Sequence, residues 1–275
     1  MSSKEILQVK KNYKSTKALE TRKSFWRNQE NRINAEEEFC KLLQLTGTEK
    51  ILDVGCGYGD MLGYIKAKYT KTTLVGIDNS ENMIKTARSK YNNIAFEVAD
   101  VQKLPFKDKT FDVVIAKHML YHVTNIKKAF KEIHRVLKPE GRLIISLNTL
   151  SSKSRANIEK YKQEIEKTSR YKLVQTVTRI NTENYPKYYD SQDFKILKEF
   201  KNYSYTVMNN AKPLTEYIST FREFFIPTPS ENDWKQIIGK IRKKIDIEIK
   251  KKGPLEEVRG FGIILFKKND YQGGK

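Results

Sequence analysis

The stretch that most constrains the fold is Lys50-Ile51-Leu52-Asp53-Val54-Gly55-Cys56-Gly57-Tyr58-Gly59-Asp60. Ile51, Leu52 and Val54 form the short apolar run of a strand buried on both faces of a parallel sheet. Gly55, Gly57 and Gly59 follow at alternate positions, where they let the backbone turn sharply and come close to a ligand. A helix expected from about 60 to 68 then aims its N-terminal amides at the same spot. A second buried run, Thr73 to Ile77, ends in Asp78, 19 residues beyond Gly59. A β-α-β unit brings a carboxylate to the ribose of a nucleoside at about that separation.

The pattern continues. Strands are expected near 51–54, 73–78, 94–98, 111–116 and 142–148, with helices near 60–68, 80–90 and 125–137. Ser80 is placed to cap the second of these helices, whose apolar face is Met83, Ile84 and Ala87. Strands alternating with helices predict an α/β fold with a doubly wound, mostly parallel sheet. Ligands of such sheets bind beyond the carboxyl ends of the strands. Asp53, Gly55, Asp78, Asp100 and Lys117 all fall at such ends and are expected to converge.

Around this core, residues 1–49 read as an N-terminal helical segment, with Glu36, Phe39, Cys40, Leu42, Leu43 and Leu45 in a helix packed on the sheet. Residues 50–149 form the core. Residues 150–275 supply the rest of the sheet, with strands near 201–209 and 258–267. They also carry helical insertions over about 150–195 and 210–255, long enough to form a cap or a structural helical pair.

The order Asp53-x-Gly55-x-Gly57-x-Gly59 resembles the S-adenosylmethionine (SAM) loop of class I methyltransferases. The resemblance extends through Gly76-Ile77-Asp78-Asn79-Ser80-Glu81-Asn82-Met83, Val98-Ala99-Asp100-Val101, Leu104-Pro105-Phe106, Phe111-Asp112-Val113-Val114 and Arg135-Val136-Leu137-Lys138-Pro139-Glu140-Gly141-Arg142-Leu143. One departure is Glu140, where the family usually has glycine. The resemblance implies a seven-stranded sheet whose last two strands form an antiparallel hairpin at the edge.

It also implies SAM as cofactor and a role for each matching residue. Gly55, Cys56, Gly57 and Gly59 border the methionine moiety, and Asp53 orders the loop or bonds the amino group through water. Asp78 holds the ribose hydroxyls, with Asn79 and Met83 beside it. Asp100 accepts from the adenine amino group and Val101 donates its N–H to the ring. Lys117 closes the set. An N-terminal segment often covers the cofactor in this family, which would bring Arg22 to the methionine carboxylate and Tyr13 or Trp26 to the pocket wall; Phe25 and Trp26 are equally suited to packing a helix on the core.

After the fourth strand, where the family places residues facing the methyl group, come His118, Tyr121 and His122. A histidine there suits a general base. Alternatively His118 only lines the pocket and His122 caps the next helix.

Charge bears on the acceptor. The net charge is +20, yet residues 51–100 carry six basic and six acidic side chains, whereas residues 151–275 carry 26 and 16. Such a surface suits a polyanion. The reading this favours is methyl transfer to RNA, most naturally a ribosomal RNA nucleotide and in one version conferring antibiotic resistance, with Tyr185, Tyr188, Tyr189 and Phe225 available to stack on an extruded base. The alternative is a small-molecule O- or N-methyltransferase acting on a quinone, natural product or metabolite. A SAM-binding protein without catalysis is a third. The basic run Lys240 to Lys252 reads as a phosphate-binding helix, a solvated face or, less directly, a membrane-surface helix. No run approaches the ~20 apolar residues of a membrane span, and Cys40 and Cys56 are too few for a disulfide framework or a four-ligand zinc site. A cytoplasmic location follows as an expectation. The acceptor atom and the oligomeric state are not legible.

Overall fold

The computed structural model describes residues 16–27, 29–31, 33–150, 156–174 and 179–269. The elements in order are α1 (Thr16–Phe25), α2 (Ala35–Leu43), β1 (Lys50–Val54), α3 (Asp60–Lys68), β2 (Thr73–Asp78), α4 (Glu81–Lys90), β3 (Ala95–Val98), β4 (Phe111–Lys117), α5 (Ile126–Val136) and β5 (Leu137–Asn148). There follow α6 (Ala156–Thr168), β6 (Lys172–Leu173), β7 (Phe194–Met208), α7 (Lys212–Ser219), β8 (Phe225–Ile226), α8 (Glu231–Lys252) and β9 (Leu255–Lys268). The chain divides into two compact units, one of Ile33–Thr149, Val177–Asn202 and Phe261–Lys275, the other of Met1–Arg32, Leu150–Thr176 and Tyr203–Gly260.

The first unit is the sheet unit. The seven strands lie in the order β3-β2-β1-β4-β5-β9-β7. β1 to β5 pair in parallel, and β9 runs antiparallel to β5 with Ser146 opposite Ile263. Side chains alternate between faces with a period of two. Leu52, Val54, Val114, Ala116, Leu143, Ile145, Ile264 and Phe266 pack on one face with Phe130 and Ile133 of α5. Ile51, Val113, Ile115, Ile144, Ile263 and Leu265 pack on the other with Phe39 and Leu43 of α2, Leu62 and Ile65 of α3, and Ile84 and Ala87 of α4. Burial of each such side chain contributes about 1.5–3 kcal/mol. Asp53, Lys117 and Ser146 share the parity of Ile51, Ile115 and Ile144, so the polar residues at the strand ends belong to the α2-to-α4 face.

Local signals fix the helix ends. Asn34 Oδ1 accepts from the Glu37 N–H at 3.1 Å to cap α2, and Asn125 Oδ1 accepts from the Lys128 N–H at 3.0 Å to cap α5. Asn125, not His122, is therefore the cap of that helix; His122 lies in a 3-10 turn, Leu120–His122. Ser80 stands at the N-cap of α4 without a side-chain capping bond.

Several boundaries differ from the expectation. β5 starts at Leu137, which pairs with Phe111, and the register shifts before Arg142 pairs with Val113. Glu140 adopts φ 63°, the left-handed conformation for which the family's glycine is suited, and its carboxylate pairs with Lys267. Residues 177–202, assigned in part to a cap, belong to the sheet unit. Their aromatic rings are the reason: Tyr185 is buried, stacks on Tyr189 and packs edge-on to Phe266, and its hydroxyl donates to Glu199 Oε1 at 2.6 Å. The helix at 35–43 likewise belongs to the sheet unit. As expected, a long insertion separates the last two strands, and β9 lies between β5 and β7.

The second unit has its own core, built from Trp26, Ile158, Ile165, Leu214, Tyr217, Phe225, Trp234, Ile241 and Ile245. Glu257 is fully buried there, and its Oε2 accepts from the N–H groups of Asn157 and Ile158 at the start of α6. β6 and β8 pair antiparallel. Phe225, considered for base stacking, is fully buried in this core.

Candidate active site at the glycine loop

The turn from β1 into α3 runs through Gly55, Gly57 and Gly59 at φ 70°, 56° and 77°. At Gly59 an added Cβ would lie 2.6 Å from the Phe96 ring, so neither the backbone conformation nor the space admits a side chain. At Gly57 nothing lies within 4 Å of such an atom. The loop is packed from beneath at one glycine and faces open space at the other, the form of a cradle for a ligand.

Asp78 ties this loop to β2. Its Oδ2 accepts from the Gly57 N–H at 3.0 Å and its Oδ1 from the Ser80 N–H at 2.9 Å. The backbone completes the link, with Cys56 N–H donating to Ile77 O at 2.9 Å. Burial raises the Asp78 carboxyl above its ordinary range, and the amides of Ser80, Gly57 and Asn79 oppose the shift. A carboxylate has about four acceptor positions, so one bond at each oxygen leaves capacity for a pair of hydroxyls. Asn79 beside it is exposed, and Met83 is buried on α4.

Asp53 is the most unusual group of the site. It is 2 % exposed, and its Oδ1 is buried with no hydrogen-bond partner among the described residues. Burial pushes its carboxyl up to about 8; the charge of Lys117 opposes the shift and that of Asp78 adds to it. Lys117 is simultaneously in an ion pair with Glu36 of α2. Burial drives the Glu36 carboxyl upward, but the charge and hydrogen bond of Lys117 prevail and hold it below its usual range. Cys56 is half-buried; desolvation, with the charges of Asp53 and Asp78, raises its thiol far above the ordinary value and suits it to packing, not nucleophilic attack.

Asp100 lies at the exposed end of β3's connection. Its carboxylate accepts from the N–H and side-chain amide of Gln102, and Gln102 Oε1 accepts from the Thr124 hydroxyl at 2.6 Å and the Asn125 N–H at 2.8 Å. Val101 is buried. Arg135 holds the neighbouring Leu104-Pro105-Phe106 segment through the carbonyls of Phe106 and Leu104, and itself pairs with Glu132 and Asp108.

After β4, His118 adopts φ 52°, a strained conformation for a residue other than glycine. Its N–H donates to Ser146 O at 3.2 Å and Ser146 Oγ at 3.1 Å, and its ring meets Phe261 edge-on at 5.9 Å. Tyr121 and His122 make an edge-to-face pair at 4.3 Å.

Thus the structure joins Asp53, Cys56, Gly57, Asp78 and Lys117 in one electrostatic and hydrogen-bonded group. Arg22 belongs to the second unit, where its Nε donates to Thr220 Oγ1 at 2.9 Å, its Nη2 to Thr220 O at 3.1 Å, and its guanidinium lies over Phe221 and Phe224. Trp26 packs against Phe25 and Tyr217 there, and Tyr13 lies outside the described residues. Gln102 and Ser146 are not named by the sequence reading, and Glu36 enters it only as part of a packed helix. Strand parity was the available signal for Ser146, and the acidic first turn of α2 was the signal for Glu36.

Comparison with known proteins agrees with this geometry. Residues 52–145 match the methyltransferase domain family. The chain is 35 % identical over 127 residues to sterol 4-C-methyltransferase strm-1 of Caenorhabditis elegans, covering 44 % of this chain and 37 % of that protein. It is 38 % identical over 110 residues to demethylmenaquinone methyltransferase of Chlorobaculum tepidum, covering 40 % and 45 %. The chain thus spans less than half the length of the sequence relatives it matches. Its fold is similar to that of Haemonchus contortus phosphoethanolamine N-methyltransferase 2, solved with phosphomonomethylethanolamine and S-adenosylhomocysteine, at TM-score 0.51 and 18 % identity over 86 % of this chain and 52 % of that one. The seven-stranded, mostly parallel sheet is the class I methyltransferase fold.

The residues present fit SAM. That molecule carries a positive ammonium and sulfonium, for which the unsatisfied oxygen of Asp53 is a matched partner, and a ribose diol, for which Asp78 retains acceptor capacity. The open side of Gly57 gives it room.

Two outcomes follow. Asp78→Ala should weaken SAM binding by about 1–3 kcal/mol in titration calorimetry; unchanged affinity would remove the ribose assignment. For Asp53, the folded chain keeps its proton up to about 8, whereas the unfolded chain releases it near the ordinary aspartate value of 3.8. The contribution of Asp53 to the stability of the cofactor-free protein should therefore be greatest below that lower value and be lost as pH rises towards about 8. Asp53→Asn should flatten that decline in melting temperature, and a variant that tracks the wild type at every pH would contradict the assignment.

Proposed function

We propose that this chain, whose residues 52–145 form a class I methyltransferase domain, transfers a methyl group from SAM to a small molecule. The observation that carries the transfer reading is the buried, unsatisfied Asp53 carboxyl beside an open glycine cradle that Asp78 holds in place. The relatives support the choice of acceptor: their names specify a sterol and a demethylmenaquinone.

When bound, SAM supplies an electrophilic methyl on a positively charged sulfur, open to in-line displacement. The chain's own residues do the positioning on which such displacement depends. Asp53 and the open side of the turn at Gly57 hold the methionine end, Asp78 the ribose and Asp100 the adenine edge. Lys117 is held by Glu36, so its ammonium does not compete fully for Asp53. His118, fixed through its N–H by Ser146, takes the proton of a hydroxyl or amine acceptor at an imidazole nitrogen.

An RNA acceptor is supported by the net charge alone. The rings considered for base stacking serve instead as core: Tyr185 and Phe225 are buried, Tyr189 packs on Phe266, and the Tyr188 hydroxyl donates to Arg179 O at 2.5 Å. Neither the family match nor these relatives point to ribosomal RNA or to antibiotic resistance.

The test is transfer of labelled methyl from SAM to three fractions of a cell extract: lipids, soluble metabolites and RNA. Label is expected in one of the small-molecule fractions, with His118→Ala lowering turnover by roughly a hundredfold or more while SAM affinity is retained. Label confined to RNA would overturn the acceptor class, and normal turnover of the variant would remove the general base.

A further inference from the structure

The second unit carries a strongly charged element that the transfer chemistry does not use. Helix α8 spans 22 residues, about 33 Å at 1.5 Å per residue. Trp234, Ile241 and Ile245 are buried and fasten one face of it to the unit's core. Lys235, Lys240, Arg242, Lys243, Lys250 and Lys251 are exposed, and none of them forms an ion pair among the described residues. At 100° per residue these six positions fall within about half the circumference, opposite the buried face.

The acidic residues of the same helix are engaged elsewhere. Asp233 accepts from the Tyr171 hydroxyl at 2.6 Å, Asp246 accepts from the Ala211 N–H at 3.3 Å, and Glu248 pairs with Lys160 and Lys252 and accepts from the Tyr161 hydroxyl at 2.5 Å. Glu231 faces Arg222. The outward arc is thus a row of six cations, with Asp246 the one acidic residue of α8 among them, on a helix anchored through its buried face.

We infer that the outer face of α8 docks this protein on an anionic lipid surface. Charge complementarity supplies the attraction, since basic residues near an acidic bilayer add their contributions along the row. Three features select a lipid surface over nucleic acid. The cations are five lysines to one arginine, point charges suited to a diffuse anionic field and lacking the planar fork that reads phosphate or bases. The arc carries no aromatic ring on which a base could stack. In its midst Ile247 is 53 % exposed, an apolar side chain placed to meet a lipid interface. The apolar face of α8 is occupied by the unit's own core, so the contact is peripheral and electrostatic, without insertion. The docking stands independently of which acceptor is methylated. It also places the enzyme where an apolar acceptor of the proposed class would reside.

The experiment is co-sedimentation of the full chain with vesicles of phosphatidylcholine alone and of phosphatidylcholine with phosphatidylglycerol, at low and high salt. Binding is expected only to the phosphatidylglycerol vesicles, weakened by salt. The variant Lys240→Glu/Lys243→Glu/Lys250→Glu/Lys251→Glu should lose it by roughly a hundredfold or more. The corresponding glutamine variant, which tolerates any folding defect of the charge reversals, should lose most of it too. SAM affinity and melting temperature, measured alongside, should match the wild type, which separates this face from the glycine loop. Equal binding to both vesicles, no binding, or binding unchanged in both variants would overturn the inference. So would retention of an RNA duplex, lost in the variants, by a protein that ignores the vesicles.

Discussion

A buried carboxyl oxygen with no partner is the constraint around which the sheet unit is arranged. Burial of an uncompensated charge costs several kcal/mol, and a carboxyl group avoids that cost by retaining its proton. Asp53 does this, with its carboxyl raised to about 8. The residues around it keep it in that condition. It lies on the central strand β1, between β2 and β4, with its side chain buried. Asp78 adds a like charge. Lys117, the natural counter-ion, is shared with Glu36. The position is held short of full compensation at the point where the open side of the glycine loop begins, and a cationic ligand relieves it.

The same bookkeeping of charge divides the molecule. In the sheet unit, the charges near the loop are mutually paired or neutralised, and the basic side chains that matter structurally, such as Arg135, are saturated by carbonyls and carboxylates. In the second unit, the acids of α8 are engaged by neighbouring side chains and backbone, and of its lysines Lys244 and Lys252 are paired while Lys235, Lys240, Lys243, Lys250 and Lys251 form no ion pair among the described residues. The excess positive charge is therefore a property of one helix face as much as of the whole chain, and it belongs to docking in preference to chemistry.

Much of this was legible in the sequence because it is local. The apolar runs at 51–54, 73–78 and 111–116 admit only buried strands. The alternate glycines admit only a tight turn, and the capping residues lie within three positions of the helices they start. What escaped is long-range. Glu36 meets Lys117 at a sequence separation of 81 and Arg22 meets Thr220 at one of 198, and no spacing rule announces either pair. Tyr185 and Phe225 read as exposed aromatics in polar stretches, but each is drawn into a core by rings distant in the chain. The return of residues 177–202 to the sheet unit has the same origin. His118 is intermediate: its place after β4 was evident, while its left-handed backbone and its anchor on Ser146 follow from the register of β4 with β5.

The central claim is that the Asp53 carboxyl, protonated in the cofactor-free protein, is the partner of a cationic cofactor at the glycine loop. Calorimetric titration with SAM at neutral pH, repeated in buffers of different ionisation enthalpy, counts the protons released on binding. The account predicts release of up to one proton by the wild type and none by Asp53→Asn. Binding of SAM with no buffer-dependent enthalpy in the wild type would contradict it.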